Sequence, residues 1–409
     1  MNEFAIIILA TMIFQYLMNL VSDVLNLKAM SVNIPDEFTG YYDQEKYGKS
    51  QQYTREKTQF GFVVHTFDLA IILAFWFLGG FNAVDVWVRS YGFSSIFNGI
   101  IYIGVLIILN SLLNLPFKIY SIFVIEEKYG FNKTTFKTFI SDIIKGIVLG
   151  AIIGLPVLYF ILWFFENSGE YSWLYIWAMV VFLSLVLQFI APVWIMPLFN
   201  KFKPMEEGEL KKAIMKYGES VSFPLKDVFI MDGSKRSSKA NAFFTGFGKN
   251  KRVALFDTLI EKQSTKELVS ILAHEVGHYK KKHILKGMIA SFIHTGLVFF
   301  LMSFFLSNTD LFAAFYMQNQ SIYAGLIFFM MLFSPIEMLI SMVMGIFSRK
   351  HEYEADRYAV DTFKSADHLI SALKKLSVDH LSNLTPHPFH VFLNYSHPPV
   401  LSRIEAMRK

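Results

Sequence analysis

A chain of 409 residues is long enough for about two to four soluble domains. Its composition overrides that length: 54 % of residues are hydrophobic, 17 % are charged and 43 are Phe, more apolar area than a soluble globule can hide. A disordered chain is excluded and an ordinary cytosolic enzyme disfavoured, which leaves a multispanning membrane protein. The 38 Lys and Arg exceed the 33 Asp and Glu by 5, an excess that suits loops facing anionic lipid. With no Cys there are no disulfides, thiolate metal sites or Cys nucleophile, so any metal is held by His, Asp or Glu.

Seven apolar runs reach the roughly 20 residues that a helix needs to cross a bilayer. They lie at 4–22, 62–81, 96–117, 143–165, 173–199, 287–306 and 323–347. Only Glu3 precedes the first run, with no basic leader or small-residue cleavage site, so it reads as a retained span. The loop after the first span carries Lys28, Lys46, Lys49, Arg55 and Lys57, and the loop after the third carries Lys128, Lys133 and Lys137. Segments 200–286 and 348–409 are also basic, whereas the second, fourth and sixth loops together hold only Arg89. The positive-inside rule then puts the N-terminus outside and the basic segments in the cytosol.

Segment 200–286 reads as a small α/β unit. An amphipathic helix near 206–217 leads to a strand, Val228–Met231, and an Asp232-Gly233 turn. Ala242–Phe247 and Arg252–Phe256, joined by Gly248-Lys249-Asn250-Lys251, form a plausible hairpin. From Lys266 the pattern turns helical and runs without a break towards the sixth span. The expected fold is therefore mainly α: a polytopic membrane protein with about seven transmembrane helices and a small β-hairpin or sheet. Its parts are five spans in 1–199, a cytosolic insertion in 200–286, two spans in 287–347 and a cytosolic remainder in 348–409.

The strongest chemical signal is His274-Glu275-Val276-Gly277-His278. In a helix, positions i and i+4 share a face, so both imidazoles can reach one ion while Glu275 sits about 100° around. Two His, a carboxylate and a water make an open hydrolytic zinc site, with one Zn2+ and a Glu as general base. Ala273 and Gly277 leave the helix uncrowded beside the pair. The missing carboxylate must come from the cytosolic side, where Glu352 and Asp356 stand at i and i+4. One can bind the ion while the other orients a ligand imidazole; the plainer alternative is a charged helix end paired with Arg349 and Arg357. Glu354, about 200° from Glu352, reads as solvated. His351 and His283 compete as ligands, but on a continuous helix His283 falls about 180° from His274 and points away.

Five stretches together carry a resemblance. They are Glu127-Lys128-Tyr129-Gly130-Phe131-Asn132-Lys133, Met196-Pro197-Leu198-Phe199-Asn200-Lys201-Phe202, Ser234 to Ser238 through Asn241 to Phe256-Asp257-Thr258-Leu259, the His-Glu-x-x-His block, and Ser396-His397-Pro398-Pro399 with Arg403. On these the sequence resembles the type I CAAX prenyl endopeptidases, integral-membrane zinc metallopeptidases that trim isoprenylated proteins. The resemblance implies seven tilted helices around a large water-filled chamber, with a zinc domain closing the cytosolic end. It also implies that His274, His278 and Glu352 bind zinc, that Glu275 is the base, and that His397 and Arg403 face the substrate.

His397 has a physical reading as well, because a tetrahedral oxyanion needs a donor besides the metal and Pro398-Pro399 would hold that imidazole stiffly. Asn241, Ala242, Phe243 and Phe244 read as an edge strand able to pair with an extended substrate. Lys235, Arg236 and Lys239 accompany no nucleic-acid motif, so lipid headgroups or substrate tails are the better partners. The other partners are the bilayer and a peptide or protein substrate, lipidated or not. Asp68, His294 and Glu337 lie inside apolar runs, where they either pair within the bundle or face a wet interior. Short exoplasmic loops and a tail without a retrieval signal after Arg403 suggest a bacterial inner membrane. Two rival functions are a general membrane quality-control protease and a non-catalytic binding or transport protein with an inert metal site; an intact Glu275 disfavours the second. With Asp310→Cys in an intact cell, thiol labelling should succeed only from outside, and access from the cytosol would overturn the orientation.

Overall fold

The computed structural model describes residues 1–245 and 251–409; Gly246 and Phe247 of the expected strand and Gly248 to Asn250 of the expected turn lie outside the described residues. In lipid every backbone polar group must be satisfied within the chain, so the apolar runs become helices, and polar side chains mark their starts. Asn2 caps α1 (Glu3–Ala29), Asp43 caps α2 (Gln44–Phe77), and the short α3 (Gly80–Arg89) follows. Then come α4 (Ser95–Tyr120) and, capped by Thr135, α5 (Phe136–Asn167). Next are α6 (Ser172–Ile190) and the single turn α7 (Met196–Phe199). Both α4 and α6 continue through π-helical segments, Ser121–Glu126 and Ala191–Ile195.

The insertion builds β1 (Phe202–Pro204), α8 (Glu209–Ser220), β2 (Leu225–Met231), β3 (Ala242–Thr245) and β4 (Lys251–Phe256). The strands form one sheet in the order β1-β2-β4-β3. β2 and β4 run parallel, and the β3–β4 hairpin is antiparallel, with Phe243 opposite Ala254. After α9 (Asp257–Ile260), α10 (Thr265–Lys280) begins at a capping box between Ser264 and Glu267. The chain then runs through α11 (His283–Phe305), turns at α12 (Thr309–Ala314) and returns through α13 (Ile322–Phe363). It ends in α14 (Asp367–Asp379), α15 (Pro388–Asn394) and α16 (Val400–Arg408).

Among the described residues seven helical stretches are long and apolar enough to span a membrane, one for each expected run. Two features depart from the sequence reading. The helix expected to run unbroken from Lys266 is split, because Lys282 is left-handed with φ 59° and α11 starts afresh at His283. α10 is committed to its packing against α13 while α11 must enter the bilayer, and the joint lets each keep its own axis. Conversely, the seventh span does not stop at the membrane surface: α13 is one helix of 42 residues that carries Glu352 and Asp356.

Two large cores and two smaller clusters hold these elements among the described residues. In the lobe built around the sheet Val228, Val253, Leu255, Leu268, Leu272, Val276, Ala359 and Leu369 join sheet, α10, α13 and α14. At the far end Trp76, Phe81, Phe312, Phe315 and Phe328 pack together, beside Asp85, which accepts from Tyr323 and Arg89. Between them lies a cavity of about 1370 Å³ bounded by α1, α2, α4 and α13, with Gln15, Asn19, Asp23, His65, Asp68 and Asn110 among its polar lining. The three intramembrane groups thus divide: Asp68 faces the cavity, while His294 Nε2 and Glu337 Oε2 pair at 2.8 Å.

Glu267 also ties α10 to α14. Burial alone would raise its carboxyl, but bonds from Lys375, Ser371 and Ser264 bring it down to about 2. A carboxyl lowered from 4.5 contributes stability that is complete above that pH and disappears as pH falls towards about 2. Glu267→Gln should therefore lower the unfolding temperature at pH 7, by the equivalent of about 1–3 kcal/mol, with the gap to wild type narrowing below pH 4.5. Equal midpoints at pH 7 would refute this role.

Candidate active site

One face of α10 is apolar and buried through Leu268, Leu272 and Val276, which leaves His274 and His278 on the side towards α13. The two helices cross almost backbone to backbone, since a Cβ on Gly277 would lie 3.0 Å from both Cα and O of Ala355. That crossing places Glu352 and Asp356, either side of Ala355, opposite the imidazoles.

His274 Nε2 and His278 Nε2 are 3.1 Å apart, and Glu352 Oε2 and Oε1 lie 3.4 and 3.2 Å from them respectively. Atoms bound tetrahedrally to one zinc at about 2.1 Å are separated by about 3.4 Å, so the spacing fits a single ion. Glu352 is buried, and its Oε2 accepts no hydrogen bond, with Arg403 Nη1 3.4 Å away. No other group of three His, Cys, Asp or Glu among the described residues has metal-binding spacing.

Asp356 lies behind the cluster. Its Oδ1 is 2.8 Å from His274 Nδ1, and it accepts from Arg403 Nη2 at 2.6 Å and Nε at 2.8 Å. Burial pulls the His274 imidazole down, but Asp356 and Glu352 more than offset it and hold it at about 9. Burial likewise acts against the Arg403 charge and is outweighed by Asp356, so its guanidinium is held still more firmly charged. Glu275 is half-buried beside the imidazoles; burial raises its carboxyl, and no hydrogen bond occupies it among the described residues.

The structure brings His274, His278, Glu352 and Asp356 together as the spacing suggested, with Glu275 adjacent. Arg349 and Arg357 are not the salt partners of the carboxylates; Arg403 is. Arg403 was expected to face the substrate, yet it is buried with its fork on Asp356. His397 stands at the mouth, 64 % exposed, with Nε2 3.4 Å from Glu352 Oε1. Arg349 Nη1 donates to the Tyr395 carbonyl at 2.6 Å and so fastens the loop that carries it. β3 is an edge strand, and Asn241, Ala242, Phe243 and Phe244 make no hydrogen bond to the His and Glu cluster. Sequence reasoning missed His283 and Glu354. His283 Nδ1 is 3.0 Å from His278 Nδ1, and its Nε2 is 3.0 Å from Glu354 Oε2, so His283 does not point away and Glu354 is not merely solvated. The turn at Lys282 redirects His283, and helical periodicity carries no signal of that turn.

Two family models match the chain. One, described as CAAX prenyl protease N-terminal, five membrane helices, covers residues 23–201, and the other, peptidase family M48, covers 204–409. The chain belongs to peptidase family M48. A CAAX prenyl protease 1 homolog of Arabidopsis thaliana is 37 % identical over 408 residues, 97 % of this chain and 95 % of that one. CAAX prenyl protease 1 of Saccharomyces cerevisiae is also 37 % identical, over 93 % of this chain and 89 % of the other. A crystal structure of S. mikatae Ste24p is similar over 100 % of both chains, with a TM-score of 0.94 and 34 % identity. This M48 member is a multi-pass membrane zinc metalloprotease, as the resemblance implied.

Gly277→Ala should force α10 off α13 and weaken zinc binding at least about tenfold, measured by competition with a chelator, without preventing membrane insertion. Unchanged zinc affinity would mean that the close crossing is not what assembles the ligands.

Proposed function

We propose that this chain cleaves peptide bonds near the C-terminus of prenylated proteins, with zinc held by His274, His278 and Glu352. The observation that carries the site assignment is the convergence of those three side chains at tetrahedral spacing, with Glu275 free beside them. Zinc, when bound, supplies a Lewis acid for the scissile carbonyl and brings the pKa of its water towards neutrality. Asp356 accepts from His274 Nδ1–H, which turns the Nε2 lone pair towards the ion. Glu275 takes the water proton and later delivers it to the leaving amine, and its raised carboxyl suits both steps. His397 offers an N–H to the developing oxyanion from the mouth of the site. Arg403 acts through Asp356 and Glu352, holding their charge in place.

An extended substrate could add to the outer edge of β3 at Asn241, Ala242, Phe243 and Phe244 through main-chain hydrogen bonds. The prenyl requirement is supported by the names of the relatives and by an apolar cavity large enough for a lipid chain. The peptidase lobe combines 200–286 with 348–409 around one core, and its basic character supports a cytosolic position with the N-terminus outside. The short exoplasmic loops are what support a bacterial inner membrane.

Purified protein should cleave a farnesylated peptide and not the identical unmodified one, and a chelator should abolish the cleavage. Glu275→Gln should keep its zinc and lose at least about 10²-fold in turnover. Retained turnover in that variant eliminates Glu275 as the base, and equal cleavage of both peptides would make the enzyme a general membrane protease.

A further inference from the structure

Hydrogen-bond direction around His278 leads beyond the three ligands. If His278 presents Nε2 to the zinc, that nitrogen carries no proton, and the neutral ring bears its hydrogen on Nδ1. Nδ1 faces His283 Nδ1 at 3.0 Å, so the His283 nitrogen accepts. The His283 hydrogen must then sit on Nε2, which faces Glu354 Oε2 at 3.0 Å, a carboxylate oxygen that can only accept. Every donor in this chain meets an acceptor, and no alternative tautomer of His283 satisfies both contacts.

We propose that His283 and Glu354 are positioning residues for the zinc site, forming a relay that holds His278 as Asp356 holds His274. The two ligand imidazoles are thus anchored separately: His274 by a carboxylate directly, His278 by a carboxylate acting through a second imidazole. Both carboxylates come from α13, on the two sides of Ala355. His351, also on α13, stacks on His283 with ring centroids 4.0 Å apart and planes 11° apart, which stops the His283 ring from turning away from either partner. His283 is buried, and both its nitrogens are engaged, so it is a support and not a fourth ligand. The left-handed Lys282 makes the arrangement possible by starting α11 beside His278 instead of extending α10.

This inference rests on the zinc reading of His274, His278 and Glu352, and its test keeps the two apart. Zinc affinity of the purified full-length protein is measured by competition with a chromophoric chelator, and the cobalt-substituted forms report ligand number by their visible absorption. Glu354→Ala and His283→Phe should each weaken zinc about 10- to 100-fold while retaining the tetrahedral cobalt spectrum. Glu354→Gln, which keeps an acceptor oxygen for His283, should stay within a few-fold of wild type. Unchanged affinity in Glu354→Ala or His283→Phe overturns the relay, and so does a loss in Glu354→Gln equal to that in Glu354→Ala. Loss of the tetrahedral spectrum in His283→Phe would make His283 a ligand and also overturn it. Zinc retained by Glu352→Ala would instead sink the three-ligand reading, whatever the Glu354 variants do.

Discussion

The contact on which the rest depends is the crossing of α10 and α13 at Gly277 and Ala355, where backbone meets backbone with no Cβ between. Four ionisable groups from two distant parts of the chain meet because that crossing is so close. His274 and His278 look across it at Glu352 and Asp356, and a Cβ at position 277 would meet Ala355 at 3.0 Å, so a larger residue must push the helices apart. Apolar packing on both sides of the crossing, from Val276, Ala359 and Leu272, sets the helix axes, so the metal geometry is inherited from a hydrophobic core.

Electrostatics accounts for the neighbours. Glu352 and Asp356 are both buried, and Arg403 is the buried cation between them. Two carboxylates against one guanidinium leave one negative charge, which His274, held at about 9, answers by keeping its proton. A divalent ion at the His and Glu cluster would take the place of that proton, beside Glu352 Oε2, which accepts no hydrogen bond and lies 3.4 Å from Arg403 Nη1.

Position in the membrane follows from the same helices. α13 begins in the far-end core, lines the cavity with Leu326, Met330 and Ser334, and continues into the sheet-bearing lobe to deliver Glu352. α15 is docked on α1 through His390 and Asp23, 3.2 Å apart, and Asp23 is itself part of the cavity wall. The cavity and the His and Glu cluster thus share structural members, with α13 running from one to the other.

The sequence alone determined the seven spans, because a bilayer demands long apolar helices whatever their neighbours. It also determined which His and carboxylates share helical faces, because side chains on one helical face recur at i and i+4, whereas β3 is the edge strand because β4 pairs with β2. Only the tertiary structure decided what lay across helix breaks and chain crossings. His283 supports His278 because Lys282 adopts a left-handed conformation that no local preference of lysine announces. Arg403 turns to Asp356, and Arg349 to the carbonyl before the His397 loop, because those acceptors arrive from elements remote in sequence. Periodicity reports which face of one helix a residue occupies; which partner meets that face is settled by how helices cross, and that is a property of the packed core.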